Sequence, residues 1–220
     1  MKRLIIAIDG PSGAGKGTIA RTVAESLKYR HIDTGAMYRA VGWKAQHDQI
    51  PLDDEEALAA LAGRARIAVE GGRVSIDDDD ITRAIRTSDI DKVASAVARL
   101  PRVRAVLVAR QREMGEQGGV VMEGRDIGTV VFPRADVKVY LDASADERAR
   151  RRASDPAHSG GPAAVSDVAT LLVERDRLDS TRATSPLYAA PDAVFIDTTG
   201  RSVEDVVNEV MRMAEERLKA

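Results

Sequence analysis

A glycine-rich segment near the start of the chain contains residues suited to holding a triphosphate. In "IAIDGPSGAGKGTIA", residues 6–20, the pattern Gly-x-x-x-x-Gly-Lys is present. Glycines let the backbone approach anionic oxygens closely, and a helix that follows them would point unpaired amides and the positive end of its dipole at the phosphates. The segment therefore predicts an ATP-binding loop made of Gly10, Pro11, Ser12, Gly13, Ala14, Gly15, Lys16, Gly17 and Thr18, with Lys16 reaching the β and γ phosphates.

One position of this loop differs from its commonest form. A Ser or Thr that binds the metal usually follows the lysine, but here Gly17 follows Lys16 and Thr18 comes one place late. We therefore expect Mg²⁺ to be held mainly through phosphates and water, with Thr18 giving one oxygen at most, since Mg²⁺ loses its water reluctantly. The loop alone does not distinguish a hydrolase with a weakened metal site from an enzyme that handles phosphate differently.

Arginines from separated segments form a second set of candidates. An enzyme that transfers a phosphoryl group to a phosphate-bearing acceptor must neutralise two anions brought close together, and arginines suit that role. Taken singly, such charges are typical of solvated surfaces. The candidate segments are "DTGAMYR" (33–39), "LPRVR" (100–104), "EGRDIGTVVFP" (123–133), "ERDRLDSTR" (174–182) and the group Arg148, Arg150, Arg151 and Arg152.

The elements that must position these residues alternate between strands and helices. Residues 4–8, "LIIAI", form a continuous apolar run that is typical of a parallel strand covered on both faces, and Ile19, Val23 and Leu27 follow at helical spacing. The alternation predicts an α/β fold with a parallel sheet in three layers, ending in a helix that Ser202 opens. Further strands are expected at 119–124, 137–143 and 193–199.

Two segments interrupt this alternation. Residues 66–90 contain short β-like runs around Gly71-Gly72, which predict a hairpin in an inserted lobe. The acidic run 77–80 within it has adjacent rather than ligand-like spacing, so we interpret it as a solvated turn. Residues 153–167 are rich in Gly, Pro, Ser and Ala, a composition that fits either a linker or a lid.

Composition narrows the classes of protein. The chain has 220 residues, 44% of them hydrophobic, a net charge of -2, no cysteine and three histidines. These values exclude disulfides and thiolate metal sites, and they argue against a whole-molecule attraction to a nucleic acid polymer or a membrane. The first residues are expected to form a buried strand rather than a targeting segment. We expect a cytoplasmic protein, and a monomer because no coiled coil or large apolar stripe is visible.

Six motifs, in order and spread over nearly the whole chain, resemble the bacterial-type cytidylate kinases of the nucleoside monophosphate kinase group of P-loop proteins. They are "IDGPSGAGKGT", "DTGAMYR", "LPRVR…RQR", "GRDIGTVVFP", "VYLDAS…ERARRR" and "ERDRLDSTRATSPL". The resemblance accounts for Gly17, because loops of this family typically end Gly-Lys-Gly-Thr. It implies a P-loop kinase fold with its core at 1–33, 91–147 and 168–220, a monophosphate-binding lobe at about 34–90 and a lid at about 148–167.

The resemblance also implies a reaction and a set of roles. The γ-phosphoryl group of ATP, bound with Mg²⁺, would pass to CMP and also to dCMP. Asp126, Arg104 and Ser95 would read the cytosine edge, and Asp179 and Arg175 would contact the ribose. The whole acceptor site would comprise Thr34, Arg39, Ser95, Arg104, Arg125, Asp126, Arg175, Asp179 and Arg182. The catalytic residues would be Lys16, Arg39, Arg125 and Arg182, with Arg151 and Arg152 of the lid. Of these, Arg39, Arg125 and Arg182 would contact the acceptor phosphate.

Three alternatives remain open at this point. A kinase of another small acceptor, such as a UMP/CMP kinase or a kinase of a sugar or acid, shares the loop and the lid. A nucleotide-dependent switch or ATPase predicts hydrolysis without an acceptor, and a structural α/β domain predicts no ATP binding. Tyr38 and Met37 are interpreted as packing residues, and His31, His47 and His158 have no visible partner and receive no role.

Overall fold

The computed structural model describes residues 3–155 and 165–219. Its strands are β1 (Ile5–Asp9), β2 (Arg30–Asp33), β3 (Ile67–Glu70), β4 (Arg73–Ile76), β5 (Asp79–Asp80), β6 (Val120–Gly124), β7 (Val137–Asp142) and β8 (Val194–Asp197). Five of them form a parallel sheet in the order β2-β6-β1-β7-β8. β1 is central, so the loop that follows it leaves the middle of the sheet.

Helices surround this sheet. They are α1 (Lys16–Leu27), α2 (Thr34–His47), α3 (Glu55–Arg64), α4 (Ser88–Val97), α5 (Pro101–Gly115), α6 (Ala145–Ala153), α7 (Val165–Thr181) and α8 (Val203–Lys219), with a π-helical turn at Ile127–Val131. Side-chain caps fix several starts: Asp33 Oδ1 accepts from the Ala36 amide at 3.0 Å, and Ser202 Oγ accepts from the Asp205 amide at 3.1 Å. None of the helices in the described part of the chain is long and apolar enough to cross a membrane.

The sheet is covered on both faces, which confirms the predicted α/β architecture. On one face, Ile6 and Ile8 pack with Val23 of α1 and Val210 of α8. On the other, Ala7, Ile32 and Met122 pack with Val108 of α5 and with the π-helical turn. Fully burying one such aliphatic side chain contributes about 1.5–3 kcal/mol. The apolar run of β1 is therefore the consequence of a strand with no solvent-facing side.

The four predicted strands are present, but β2 was not predicted. Its sequence, "RHID", contains only one fully buried apolar residue, Ile32, because β2 lies at an edge of the sheet. Ile32 is the one apolar residue of β2, whereas β8, the other edge strand, has three in a row, Val194, Phe195 and Ile196, so only β8 shows the apolar run by which strands are recognised.

A second, antiparallel sheet is formed by β3, β4 and β5. The predicted hairpin is confirmed, with both Gly71 and Gly72 at positive φ. The interpretation of the acidic run was wrong in part: Asp77 and Asp78 form the turn, but Asp79 and Asp80 pair with β4. The pairing leaves their side chains exposed, so strand formation there costs no buried charge.

An apolar cluster beneath this sheet joins the inserted lobe to the helices that follow it. Met37 of α2, Leu58 of α3 and Ile76 of β4 pack in one cluster with Val97 of α4 and Leu107 of α5. The cluster thus extends past residue 90, where the lobe was predicted to end. The predicted bounds of lobe and lid stay predictions, and 156–164 of the lid lie outside the described residues.

Candidate active site

A cleft of about 1190 Å³ opens where β1, β2 and β6 end. Ligands of open α/β sheets bind at the carboxyl ends of the strands, so this is the expected place for a site. Gly10, Pro11 and Ala14 do not line the cleft and lie buried under the loop. The other predicted site residues all line it: Ser12, Gly13, Gly15, Lys16, Gly17, Thr18, Thr34, Arg39, Ser95, Arg104, Arg125, Asp126, Arg151, Arg152, Arg175, Asp179 and Arg182.

The loop after β1 has a backbone that only glycine fits at its first position. Gly10 has a φ of +148°, and a Cβ there would lie 2.0 Å from the carbonyl oxygen of Leu141. Gly15, at a φ of +90°, is the residue that precedes α1. The loop therefore turns directly into α1, and the first amides of that helix face the cleft without intrahelical partners.

Lys16 is buried at the floor of the cleft. Its Nζ donates to the carbonyl oxygen of Pro11 at 2.6 Å. Burial, with further repulsion from Arg125, lowers the pKa of Lys16 to about 7. An arriving phosphate anion would reverse that shift by favouring the ammonium form, so this lysine is poised for an anionic ligand.

Gly17 lies against a carboxylate that the loop sequence gave no reason to expect there. A Cβ at position 17 would be 3.2 Å from Oε1 of Glu123, the last residue but one of β6. His31 of β2 hydrogen-bonds the same oxygen at 2.9 Å through Nε2, so the interpretation of His31 as unpartnered was wrong. An acidic oxygen therefore stands beside the position where the commonest loops have a hydroxyl, and it forms part of the cleft wall.

His47 and His158 are the other two histidines for which the sequence showed no partner. His47 contacts Asp48 Oδ1 at 3.0 Å and stacks on Trp43, at the end of α2 and away from the cleft. His158 lies outside the described residues.

Three charged side chains meet in the deepest part of the cleft. Asp126 is 6% exposed, Arg104 2% and Arg182 8%. Arg104 Nη2 donates to Asp126 Oδ2 at 2.5 Å, and Arg182 Nη2 lies 3.6 Å from Asp126 Oδ1. Burial, together with the neighbouring Arg104, lowers the pKa of Arg182. Arg182 also lies 3.8 Å from Asp179 Oδ1, and its Nε donates to the carbonyl oxygen of Ser185. Both guanidinium groups therefore share Asp126, and Asp179 lies beside one of them.

Several donors around this group have no hydrogen-bond partner within the described residues. They include Nε of Arg104 and Nη2 of Arg182, both of them buried. Because buried polar groups are normally satisfied, donors left open together in one pocket indicate a site for a ligand with acceptors. Ser95, at the rim, donates to the carbonyl oxygen of Asp91 at 2.9 Å.

Asp9, at the end of β1, holds the turn that presents Asp126. Its two carboxylate oxygens accept from the amides of Ile127 and Gly128 at 2.8 and 2.7 Å. Burial raises the pKa of Asp9 to about 6. Sequence reasoning missed this residue, although an acidic residue ending an otherwise apolar strand was a visible signal. Asp9, the last residue of the strand before the phosphate loop, therefore also orients the turn that contains Asp126.

Four arginine and aspartate pairs involve arginines that line the cleft. Arg39 Nη2 contacts Asp33 Oδ2 at 2.8 Å, and Arg125 Nε contacts Asp179 Oδ2 at 2.9 Å. Arg39 and Arg175 also approach Asp91, at 3.9 and 3.5 Å. Arg39 and Arg175 therefore share Asp91, whereas Arg182 lies 3.6 Å from Asp126 and 3.8 Å from Asp179.

The lid arginines have different surroundings. Arg148 donates to Asp176 at 2.5 Å and to the carbonyl oxygen of Ser12 at 3.1 Å, so it ties α6 to α7 and to the phosphate loop. Arg151 contacts the hydroxyl of Thr198 at 3.0 Å, and Arg152 contacts Asp91. Arg151 and Arg152 line the cleft, whereas Arg148 and Arg150 do not.

Few side chains in the described part of the cleft could bind a metal ion directly. Among residues 3–155 and 165–219, no group of three or more His, Cys, Asp or Glu is placed to hold one. Thr18 in the first turn of α1 and Glu123 beside Gly17 are two oxygen-bearing side chains that line the cleft there.

Comparison with known proteins gives one consistent family. The family model described as "Cytidylate kinase" matches residues 6–216. The chain is 47% identical to the cytidylate kinase of Solibacter usitatus, over 99% of this chain and 94% of that protein. It is 50% identical to that of Desulforamulus reducens, over 96% of each. A shikimate kinase from Acinetobacter baumannii, 13% identical with a TM-score of 0.53 over 98% of this chain and 94% of that one, shares the fold.

Proposed function

Since the chain belongs to the cytidylate kinase family, we propose that it transfers the γ-phosphoryl group of ATP to the phosphate of CMP, giving ADP and CDP. We propose dCMP as a second acceptor. The observation that carries the proposal is a single cleft with a phosphate loop on one wall and the buried group of Asp126, Arg104 and Arg182 on another. The first can hold a triphosphate, and the second can read a polar base.

The chemistry of the buried group favours cytosine. The exocyclic amino group of cytosine is a donor, which suits the carboxylate of Asp126, and its ring nitrogen and carbonyl are acceptors, which suit the open donors of Arg104 and Arg182. Uracil has a carbonyl in place of the amino group. That carbonyl would face an ionised carboxylate, lose a hydrogen bond and add repulsion, so cytosine is preferred.

The acceptor phosphate is assigned to Arg39, Arg125 and Arg175. These side chains line the same part of the cleft, and Nε of both Arg39 and Arg175 has no partner among the described residues. Arg182 is assigned to the base pocket, because it lies nearer to Asp126, at 3.6 Å, than to Asp179, at 3.8 Å. Asp179 keeps its predicted role at the ribose hydroxyls, with Arg125 holding its carboxylate in place.

The donor triphosphate is assigned to the loop, to Lys16 and to the lid residues Arg151 and Arg152. When bound, Mg²⁺ supplies positive charge that neutralises the phosphoryl oxygens. Its protein ligands would be Thr18 and Glu123, directly or through water, which fits the carboxylate found beside Gly17.

Catalysis in this site requires positioning and charge rather than a general base. The acceptor phosphate is already anionic at neutral pH, so no proton has to be removed before it attacks. Lys16 and the arginines hold the two phosphates in line and offset their mutual repulsion. Lid and lobe would exclude water, which would otherwise accept the phosphoryl group.

The direct test is an acceptor panel. The purified chain is given ATP and Mg²⁺ with CMP, dCMP, UMP or AMP, or with no acceptor, and ADP release is measured for each. We expect turnover with CMP and dCMP, much less with UMP and AMP, and none above background without an acceptor. Preferred use of UMP would point to a UMP/CMP kinase, and hydrolysis without an acceptor to an ATPase. Lys16→Met, which removes the ammonium group, is the matched inactive control.

A further inference from the structure

Asp91, in the first turn of α4, is the meeting point of arginines from three other helices. Arg39 comes from α2, Arg152 from α6 and Arg175 from α7. The nearest nitrogens of Arg39 and Arg175 lie 3.9 and 3.5 Å from Asp91 Oδ1, and Arg152 contacts Oδ2. One carboxylate therefore joins the predicted lobe, the lid and the core.

Without Asp91, these three cations would repel one another. The side chains of Asp91, Arg39 and Arg175 are 15%, 20% and 19% exposed, so water screens their charges only in part. Arg39 has a second carboxylate partner in Asp33. Burial, with repulsion from Arg125, lowers the pKa of Arg175, and Asp91 is the carboxylate that opposes this most strongly.

The contacts also leave donors for a ligand. The ion pairs of Asp91 with Arg39 and Arg175, at 3.9 and 3.5 Å, are long and go through Nη1, and Nε of each of these arginines has no hydrogen-bond partner within the described residues. The carboxylate thus supports the two guanidinium groups electrostatically without saturating them. An acceptor phosphate can bind the open donors while Asp91 stays in place.

We propose that Asp91 is a positioning residue that holds Arg39 and Arg175 in place beside the lid residue Arg152 before the acceptor arrives, so that the acceptor phosphate meets Arg39 and Arg175 already assembled. The proposal rests on the function proposed above. Its physical basis is that side chains already ordered before binding lose less conformational entropy when the ligand binds. The effect of Asp91 is therefore specific to the phosphate and does not extend to the base.

The test compares Asp91→Asn with Asp89→Asn. Both aspartates lie in the first turn of α4, so both changes remove one charge from the same helix terminus, but Asp89 is exposed and pairs with Lys92 at 3.4 Å. The dissociation constants of CMP and of cytidine, which lacks the phosphate, are measured by NMR titration. For Asp91→Asn we expect CMP to bind about tenfold more weakly, the loss typical of one charged contact, and cytidine to be unaffected.

Each outcome has a defined meaning. A folded Asp91→Asn protein that binds CMP as well as or better than wild type overturns the proposal, and so does an equal loss for CMP and cytidine. Asp91→Glu keeps the charge and should bind CMP within about threefold of wild type; a tenfold loss there, with the fold intact by thermal melting, contradicts it as well. Failure of the wild-type chain to bind CMP would instead reject the proposed function.

Discussion

Replacing Asp126 with asparagine isolates the charge that we assign to base selection. The substitution keeps the size of the side chain and one oxygen acceptor, but it leaves the guanidinium groups of Arg104 and Arg182 without their shared anion. Removing one partner of a buried ion pair lowers the free energy of unfolding by about 3–5 kcal/mol. Because asparagine keeps one acceptor, we expect a loss at the lower end of this range. A domain stable by about 5–15 kcal/mol should still fold.

The expected effect on selectivity follows from the lost hydrogen bond. A charge-assisted hydrogen bond contributes about 1.5–3 kcal/mol, so kcat/KM for CMP should fall by about 10- to 150-fold. The side-chain amide of the asparagine can donate to the uracil carbonyl, so kcat/KM for UMP should fall less than that for CMP, or rise. The preference for CMP over UMP should therefore fall by about two powers of ten.

The assay measures kcat/KM for CMP and UMP at saturating ATP, with ATP affinity measured separately. Asp192→Asn serves as the control, because it removes an exposed aspartate that pairs with Lys138 at 2.8 Å outside the cleft. If the CMP-to-UMP ratio of a folded Asp126→Asn protein stays within threefold of wild type, or if ATP and CMP binding fall together, Asp126 does not read the base.

Three further predictions concern the phosphate loop. Because the pKa of Lys16 is lowered to about 7 and bound phosphate favours its ammonium form, ATP binding at pH 8 should take up about one proton and weaken as pH rises above 7. Calorimetry in buffers of different ionisation enthalpy measures this, and no uptake would contradict it. Gly10→Ala should lower the unfolding free energy by at least about 3 kcal/mol in denaturant titrations, since its Cβ would meet the carbonyl oxygen of Leu141. Gly17→Ala should leave the unfolding free energy within about 1 kcal/mol of wild type. It should nevertheless raise the Mg²⁺ concentration needed for turnover, because its Cβ would lie against Glu123. An unchanged Mg²⁺ titration would show that Glu123 is not part of the metal site.

Local patterns made the sheet and the phosphate loop predictable. A parallel strand covered on both faces needs a continuous apolar run, so β1, β6 and β7 were visible in the sequence, and the edge strand β8 was visible because Val194, Phe195 and Ile196 are consecutive apolar residues. The loop was visible because its glycines, its lysine and the helix after it are neighbours in the chain. The edge strand β2 was missed because Ile32 is the one apolar residue among its four.

The arrangement of charges within the cleft was decided by the tertiary structure alone. The sequence determined which arginines and acids are available, and its motifs placed them in one site. It could not show that Arg182 lies with Asp126, that Glu123 stands beside Gly17, or that Asp91 faces three arginines. These partners are distant in sequence, as are Asp9 and Gly128, which are 119 residues apart. Their pairing depends on the order of the strands and the packing of the helices, and no local pattern of residues encodes a distance across the fold.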